Sequence, residues 1–230
     1  MQHAVVTHED WLAARRDLLQ KEKELTHLRD SVANERLALP WERIEKDYVF
    51  DTLDGPRSLA GLFEGRSQLV VQHFMLAPGW KEGCPSCSFM ADHTDGMNLH
   101  LANHDVTMIA VSRAPLADIE RYRKRMGWTF GWVSSFGSDF NYDFRVSFTP
   151  EEVASGHIDY NFGFWNMTGE EWPGVSAFYK DDDSSVFRTY STYGRGVEVM
   201  MGTYAMLDIA PKGRNEREGM DWVRHHDRYL

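Results

Sequence analysis

Apolar positions in the middle of the chain fall into runs of two kinds, which predict alternating strands and helices. Residues 68–76, 105–112 and 129–133 are short apolar runs of the kind found in strands, and 105–112 is continuous enough to be buried on both faces. Residues 114–126 show the apolar spacing of an amphipathic helix, and residues 88–103 contain no proline and one glycine. This alternation implies right-handed βαβ units and a parallel portion of sheet.

The first 40 residues show a different pattern, with scattered apolar side chains among many charges. Thr7 is placed to cap a helix that continues to about residue 37, and Pro40 ends the segment. We predict an N-terminal helical arm over residues 1–40. We expect it to pack on the domain formed by residues 41–230 or on a second subunit, as in a homodimer.

Shorter segments flank the alternating core on both sides. Near its start, residues 47–53 predict a strand, Asp54-Gly55 a turn and residues 58–63 a short helix capped by Ser58. Near its end the pattern predicts a β-hairpin over 174–179 and 186–190, a helix over 196–207 and a polar, aromatic tail over 222–229.

Residues 138–171 interrupt this order with a segment rich in Phe, Tyr, Asn and Gly that has no helical period. A helical turn after Pro150 and a strand over residues 158–162 are its local signals. We interpret the segment as an insertion. An aromatic-rich insertion can form a substrate groove or lid, but we expect this one mainly to pack against the domain.

Composition narrows the class of protein. Apolar residues make up 42% and aromatic residues 13% of the chain, which is enough for a packed core. The net charge of −10 argues against a nucleic-acid partner, which would require a basic face. No apolar run is long enough to span a membrane, and the first residues lack the pattern of a signal peptide. We therefore expect a soluble cytoplasmic protein without membrane or nucleic-acid partners.

The two cysteines of the chain, Cys84 and Cys87, form a single C-x-x-C between a predicted strand and a predicted helix. With Cys84 as N-cap and Pro85 as first helical residue, the amides of Ser86 and Cys87 point at the Cys84 sulfur and favour its thiolate. Cys87 follows one turn later, close enough for a disulfide. This pattern predicts a thioredoxin-like redox protein in which Cys84 is the nucleophile and Cys87 resolves the mixed disulfide. Trp80 is placed to shield or shape this site.

Two further residues belong to the predicted site. Pro173 stands directly before a predicted strand, at a place where the thioredoxin architecture holds a cis-proline facing the dithiol; the sequence leaves cis or trans open. His73, on the strand before the dithiol, is either a proton carrier or, in the favoured reading, a buried structural histidine. We assign no chemistry to the polar cluster His225-His226-Asp227.

The chain from residue 68 to about 211 resembles a bacterial family catalogued as domain of unknown function 899. The residues that carry this resemblance are segments 73–75, 80–89, 111–116, 125–128, 137–141, 173–181, 189–193 and the tail 222–229. The family is thioredoxin-like and is labelled a predicted dithiol–disulfide oxidoreductase. Residues 48–63 also resemble the N-terminal hairpin and helix of peroxiredoxins. The resemblance implies an α/β, thioredoxin-like fold with a mixed central sheet, flanking helices and these additions, together with redox activity, but it implies no substrate.

A thiol peroxidase is the nearest alternative activity. Its motif has a Thr or Ser three residues before the reactive cysteine and a proline further upstream. Here Lys81 stands three residues before Cys84, and Pro78 lies one residue closer to Cys84 than the motif requires. The hydroxyl that would bind peroxide is therefore missing at that position.

A zinc site is the second alternative, because Cys84, Cys87, His100 and His104 match a zinc-finger spacing. One helix from Cys84 would carry His100 about 24 Å along its axis, too far for one tetrahedral ion. We therefore predict no metal.

A binding module without redox activity is the third alternative, since a fold does not imply a function. We expect instead thiol–disulfide exchange with a protein or small-molecule thiol or disulfide, without an organic cofactor. Electrons would come from a cellular thiol reductant.

Overall fold

The structure is a computed structural model that describes residues 3–229. The chain divides into two compact units, with the boundary between Pro40 and Trp41. The first unit contains helix α1 (His8–Leu37), whose first turn is capped as predicted, with the Asp10 N–H donating to Thr7 Oγ1 at 3.2 Å. Among the described residues, no helix has both the length and the apolar character that crossing a membrane requires.

The second unit contains strands and helices in alternation. Its strands are β1 (Glu42–Arg43), β2 (Val49–Thr52), β3 (Gly55–Ser58), β4 (Gln68–His73), β5 (Val106–Ser112), β6 (Gly131–Ser134), β7 (Ile158–Tyr160), β8 (Gly163–Trp165), β9 (Gly174–Lys180) and β10 (Val186–Tyr193). Its α-helices are α2 (Pro85–Ala91), α3 (Thr94–Asn103), α4 (Leu116–Met126), α5 (Phe140–Asp143), α6 (Pro150–Ser155) and α7 (Gly202–Ile209). Short 3-10 helices span Ala60–Phe63, Gly194–Met200 and His226–Arg228.

Within residues 3–229, eight strands form one mixed sheet in the order β1-β10-β9-β4-β5-β6-β2-β3, and β7 pairs with β8 separately. Strands β4, β5 and β6 are parallel, as the alternating pattern predicted. Strand β9 is antiparallel to β4, and β10 is antiparallel to β9. This arrangement, with helices against the sheet, is the predicted thioredoxin-like fold. The hairpin β2–β3 extends it beyond β6.

The central strand β5 is buried from Thr107 to Ser112, so both of its faces are covered. On one face Ile109 and Val111 join a core of large aromatic side chains that includes Phe140. On the opposite face Ala110 packs in a second core with side chains of α4 and with Cys87. The dithiol therefore belongs to this second face.

The insertion leaves the sheet after β6 and returns before β9. Because β9 is antiparallel to the parallel strands, both points lie at the edge where β4 leads into the dithiol loop. Phe140, Phe148 and Ile158 of the insertion are fully buried, so much of it packs against the domain. Phe162 and Phe164, in the β7–β8 hairpin, remain exposed.

Three predicted elements differ in the structure. The helix expected after the dithiol is two helices, α2 and α3, because the His93 ring at the break donates from Nδ1 to the Phe89 carbonyl and binds Thr203 through Nε2, both at 2.8 Å. The helix expected over 196–207 is a 3-10 helix followed by α7. The residues after the Asp54 turn form strand β3, and the following helix starts only at Ala60.

Candidate active site

The dithiol lies at the end of the loop that follows β4. Cys84 is the N-cap residue of α2 and Pro85 is the first residue of that helix, as the sequence predicted. Both cysteines are free thiols; Cys84 is half-buried and Cys87 is buried. Pro85 is exposed beside them and Ser86 is half-buried. The Cys84 sulfur therefore belongs to the more exposed residue of the pair.

The two thiols have opposite electrostatic environments. The pKa of Cys84 is lowered to about 6, chiefly by a hydrogen bond from the Cys87 thiol. The backbone N–H groups of Cys87 and Ser86 and the Ser86 hydroxyl add to this effect, while burial opposes it. The pKa of Cys87 is raised well above its ordinary value, first because Cys87 donates to Cys84 and second because it is buried. At neutral pH the site holds one thiolate and one thiol.

Backbone groups of the preceding loop hold both cysteines. The Cys84 N–H donates to the Met75 carbonyl at 3.1 Å, and the Met75 N–H donates to the Cys87 sulfur. Gln72 Nε2 donates to the Cys87 carbonyl at 3.0 Å. The Ser88 hydroxyl donates to the Cys84 carbonyl at 2.8 Å. The geometry of the dithiol is therefore set by hydrogen bonds to β4 and its loop as well as by α2 itself.

The residue before the dithiol has to be glycine. A Cβ on Gly83 would lie 2.5 Å from the Phe74 ring and 2.8 Å from the Tyr122 ring. Both rings are buried and cannot withdraw without disturbing the core. This close packing brings the Gly83 backbone against the wall of the core on the Cys87 side.

Pro173 and Trp80 are the other two residues that the sequence assigned to the shape of the site. Pro173 is half-buried directly before β9, whose first residue Gly174 pairs with His73 at the end of β4. Every peptide bond between residues 3 and 229 is trans, including Trp172–Pro173, so the cis alternative is not found. The Pro173 carbonyl accepts a hydrogen bond from the Tyr160 hydroxyl at 2.7 Å. Trp80 is 39% exposed in the loop that leads to Cys84.

His73 lies on the opposite face of β4 from Cys87. Its Nε2 is 2.8 Å from the Ser176 hydroxyl, and its ring packs against Phe140 and Phe144. Burial, with a smaller contribution from the charge of Arg188, lowers the pKa of His73 to about 3. This position fits the interpretation of His73 as a buried structural histidine, and the proton-carrier role stays a prediction.

A buried ion pair near the dithiol was missed in the sequence. Glu171 is buried and accepts hydrogen bonds from Arg113 Nε at 2.6 Å and from the Ser147 hydroxyl at 2.9 Å. Burial raises the pKa of Glu171, and the charge of Arg113 opposes that rise. The Glu171 charge in turn contributes to raising the pKa of Cys87. Arg113 follows β5 and lies in segment 111–116, which carries the family resemblance. That resemblance was the one feature of the sequence that could have pointed to Arg113.

Two cavities share the segment 136–139, which follows β6. One, of about 240 Å³, is lined by Pro78 of the dithiol loop, Arg113, Tyr142 and residues 136–139. Its neighbour, of about 340 Å³, is lined by residues 46–49, Asp51 and the same segment 136–139. Neither cavity is lined by a cysteine, so neither is a closed pocket for a substrate on the sulfur.

The axial-distance argument against a zinc site is wrong for this fold. Cys84 and His100 do not lie on one helix, because the chain turns between α2 and α3, so the axial distance does not apply. Over the part of the chain that the structure describes, no group of three or more His, Cys, Asp or Glu side chains is arranged to hold a metal ion.

The C-terminal tail contacts the dithiol loop, which the sequence did not indicate. His225 is buried and its Nε2 is 2.8 Å from the carbonyl oxygen of Gly83. The next residue, His226, places Nδ1 2.6 Å from Asp92 Oδ1, at the end of α2. These contacts join residues more than 130 positions apart, and no local pattern signals them.

Comparison with known families agrees with the motifs around the dithiol. The sequence matches, over residues 1–229, the family described as bacterial protein of unknown function (DUF899). The chain belongs to this family. The resemblance inferred from segments 80–89 and 173–181 is thereby confirmed, and DUF899 covers the N-terminal helix and the tail as well as the central domain.

Solved structures with similarity to this DUF899 protein include two peroxiredoxin-type proteins. A peroxidoxin, BcpB, of Mycobacterium tuberculosis has 14% identity and a TM-score of 0.46, covering 69% of this chain and 91% of that chain. A PrxQ mutant of Xylella fastidiosa has 11% identity and a TM-score of 0.44, covering 69% and 88%. A putative protein disulfide isomerase of Bacteroides thetaiotaomicron has 15% identity and a TM-score of 0.37, covering 77% and 96%. Likeness this distant leaves the chemistry to be argued from the residues of this chain. The curated proteins contain no match to the sequence.

Proposed function

We propose that this DUF899 protein is a thiol–disulfide oxidoreductase in which Cys84 attacks and Cys87 resolves. The observation that carries the proposal is the opposite shift of the two pKa values: that of Cys84 falls to about 6 and that of Cys87 rises. A thiolate near the surface is ready to attack, whereas a buried thiol stays protonated until it is needed.

The exchange then proceeds in two balanced steps. The Cys84 thiolate attacks one sulfur of a substrate disulfide, forming a mixed disulfide and releasing the other half of the substrate as a thiolate. Cys87 loses its proton and attacks the Cys84 sulfur, which closes the Cys84–Cys87 disulfide and releases the second half as a thiolate. A cellular thiol reductant restores the dithiol by the reverse exchange. In an oxidising setting the same steps run backwards.

Formation of the mixed disulfide explains why the second thiol becomes reactive. While Cys84 is a thiolate, its negative charge and its hydrogen bond both hold the proton on Cys87. Once Cys84 is part of a mixed disulfide, that charge is gone. The pKa of Cys87 then falls, and the backbone N–H of Met75 is already in place to stabilise its thiolate.

Pro173, Trp80, Pro85 and Ser86 have supporting roles in this proposal. Ser86 stabilises the Cys84 thiolate through its N–H and hydroxyl. Pro85 leaves the first helical position without an unsatisfied N–H. Pro173, half-buried at the start of β9, and Trp80, partly exposed on the dithiol loop, would form the surface against which a substrate disulfide lies.

The test uses the full chain and two matched variants, Cys84→Ser and Cys87→Ser. We expect the wild type to reduce a small disulfide and a disulfide-bonded peptide with a thiol reductant. Cys87→Ser should accumulate a mixed disulfide that mass spectrometry detects, and Cys84→Ser should form none. Turnover of hydrogen peroxide that exceeds disulfide turnover would favour the peroxidase alternative. Absence of any trapped partner on Cys87→Ser would favour a binding module without redox activity.

A further inference from the structure

Two consecutive histidines of the tail contact the two ends of the dithiol helix. His225 is 2% exposed, and its Nε2 meets the carbonyl of Gly83, the residue before Cys84. His226 meets Asp92, the residue that follows α2. The tail therefore contacts the residues on both sides of α2, the seven-residue helix that begins after Cys84 and contains Cys87.

The first of these contacts fixes one particular peptide group. The Gly83 carbonyl and the Cys84 N–H belong to the same planar peptide. Its oxygen accepts from His225 at 2.8 Å, and its N–H donates to the Met75 carbonyl at 3.1 Å. Since a carbonyl can only accept, His225 Nε2 carries the proton. With both ends bonded, this peptide plane cannot rotate freely.

Rotation of this plane would move the Cys84 sulfur. The thiolate depends on aligned donors, namely the N–H groups of Ser86 and Cys87 and the Cys87 thiol. Hydrogen bonds to sulfur weaken as alignment is lost. The orientation of the Gly83–Cys84 peptide therefore sets how well the sulfur meets those donors.

A second route leads from the same histidine to Cys84. The His225 ring packs edge-on against Tyr122, with centroids 5.8 Å apart. The Tyr122 hydroxyl is 2.9 Å from the Ser88 hydroxyl, which donates to the Cys84 carbonyl at 2.8 Å. The His225 ring thus packs against Tyr122, which is linked through Ser88 to the Cys84 carbonyl. The N–H of the same ring donates directly to the Gly83 carbonyl.

Partly exposed ion pairs also hold the tail against the domain, but we expect them to affect the position of the Cys84 sulfur less than the His225 contact does. Glu82 bonds Arg125 at 2.9 Å and Arg228 at 2.6 Å, and Arg125 also bonds Asp227 at 2.8 Å. These side chains are about one third to one half exposed, so solvent weakens each pair. The buried contact of His225 is the one that solvent cannot replace.

We propose that His225 is a positioning residue for Cys84, acting through the Gly83–Cys84 peptide to keep the sulfur on its hydrogen-bond donors. The inference rests on the proposed function, in which the Cys84 thiolate attacks. It adds that the reactivity of this thiolate depends on the C-terminal tail as well as on α2.

The experiment compares three variants of the full chain. His225→Phe keeps a buried ring beside Tyr122 and removes the donor, His225→Gln keeps a donor, and His226→Phe changes the adjacent residue at the far end of α2. The readouts are the pH dependence of Cys84 alkylation and the equilibrium of the dithiol with glutathione. Circular dichroism and thermal melts establish that each variant is folded.

We expect His225→Phe to move the alkylation midpoint of Cys84 to higher pH and to slow alkylation at pH values well below 6 by roughly threefold to tenfold, the effect of one ordinary hydrogen bond. Its dithiol should become less oxidising by a similar factor, because the reduced form has lost stabilisation. His225→Gln should recover part of both values, and His226→Phe should keep the wild-type values.

An unchanged alkylation midpoint in folded His225→Phe would overturn the proposal, as would an equal shift in His226→Phe. Should His225→Phe fail to fold, His225→Leu removes the same donor with a smaller side chain. A shift of its Cys84 alkylation midpoint to higher pH supports the proposal, and no shift overturns it. Absence of any mixed disulfide on Cys87→Ser would instead refute the proposed function, so the two failures are distinguishable.

Discussion

His73, at the end of β4, and Cys84, at the end of the loop that follows, both have lowered pKa values, but for different physical reasons. His73 has a single hydroxyl partner and a ring pressed against Phe140 and Phe144, so burial keeps it neutral. Cys84 meets several converging donors, so burial is outweighed and the group is charged. The comparison shows that hydrogen-bond donors, and not burial alone, decide whether a group in this region is charged.

The largest expected effect concerns the cysteines themselves. Cys84→Ser should abolish disulfide exchange, because the serine hydroxyl does not ionise near neutral pH. Cys87→Ser should allow the first attack and stop at the mixed disulfide. Rapid-quench mass spectrometry measures both outcomes. Continued turnover in Cys84→Ser would show that the Cys84 thiolate is not the nucleophile.

The pH dependence of Cys84 follows from its pKa of about 6. Below that value the rate of alkylation should fall about tenfold per pH unit, because only the thiolate attacks. Above about pH 7 the rate should be nearly constant. Stopped-flow alkylation of the wild type, with Cys84→Ser as the blank, measures the midpoint. A midpoint near the ordinary value for cysteine would mean that the donors do not outweigh burial.

Gly83→Ala should weaken the dithiol side of the domain. Its Cβ would enter the space of the Phe74 and Tyr122 rings, and overpacking of this kind typically lowers the free energy of unfolding by about 1–3 kcal/mol. The matched control is Gly96→Ala in α3, where a Cβ meets nothing within 4 Å. Urea unfolding measures both. Equal stability of the two variants would show that the loop before Cys84 is not tightly packed.

His73 should make stability depend on pH in the acid range. Its pKa is lowered from 6.5 to about 3, so between these values the unfolded chain binds a proton that the folded chain does not. The contribution of neutral His73 to the free energy of unfolding is fully present above about pH 6.5. As the pH falls from there towards about 3, this contribution decreases by about 1.4 kcal/mol per pH unit.

The variant His73→Gln should have a shallower loss of stability over that window, measured by denaturant unfolding at several pH values. The same variant tests the proton-carrier reading. If the rate of disulfide exchange by His73→Gln has the same pH dependence as the wild type, His73 is structural. If one of the two pH-dependent changes in rate is absent, His73 takes part in proton transfer.

The smallest effect is expected at the exposed rim of the tail. Arg228→Ala removes the ion pair with Glu82, in which the two side chains are 52% and 35% exposed. Such pairs contribute up to about 1 kcal/mol. The alkylation midpoint of Cys84 should therefore stay near the wild-type value while that of His225→Phe moves. A large shift in Arg228→Ala would mean that the ion pairs, and not the buried histidine, position the loop.

Much of the fold could be predicted because its signals are local. The apolar run of β5, the glycine after α4 and the C-x-x-C after β4 each determine their own element, and the structure has all three where the pattern placed them. The break between α2 and α3 could not be predicted in this way. At the break His93 contacts Thr203, which lies 110 residues further along the chain and which no local pattern brings into view.

The sequence by itself determined the dithiol, its place at the start of a helix, the parallel strands around it and the membership in DUF899. Tertiary structure alone decided that Glu171 is buried near Cys87, that His73 faces the other side of the sheet and that His225 bonds the Gly83 carbonyl. The physical reason is the distance along the sequence between the residues that interact. Helix starts and strands follow from neighbouring residues, whereas the protonation state of a buried group depends on whichever distant donors and charges the fold brings to it.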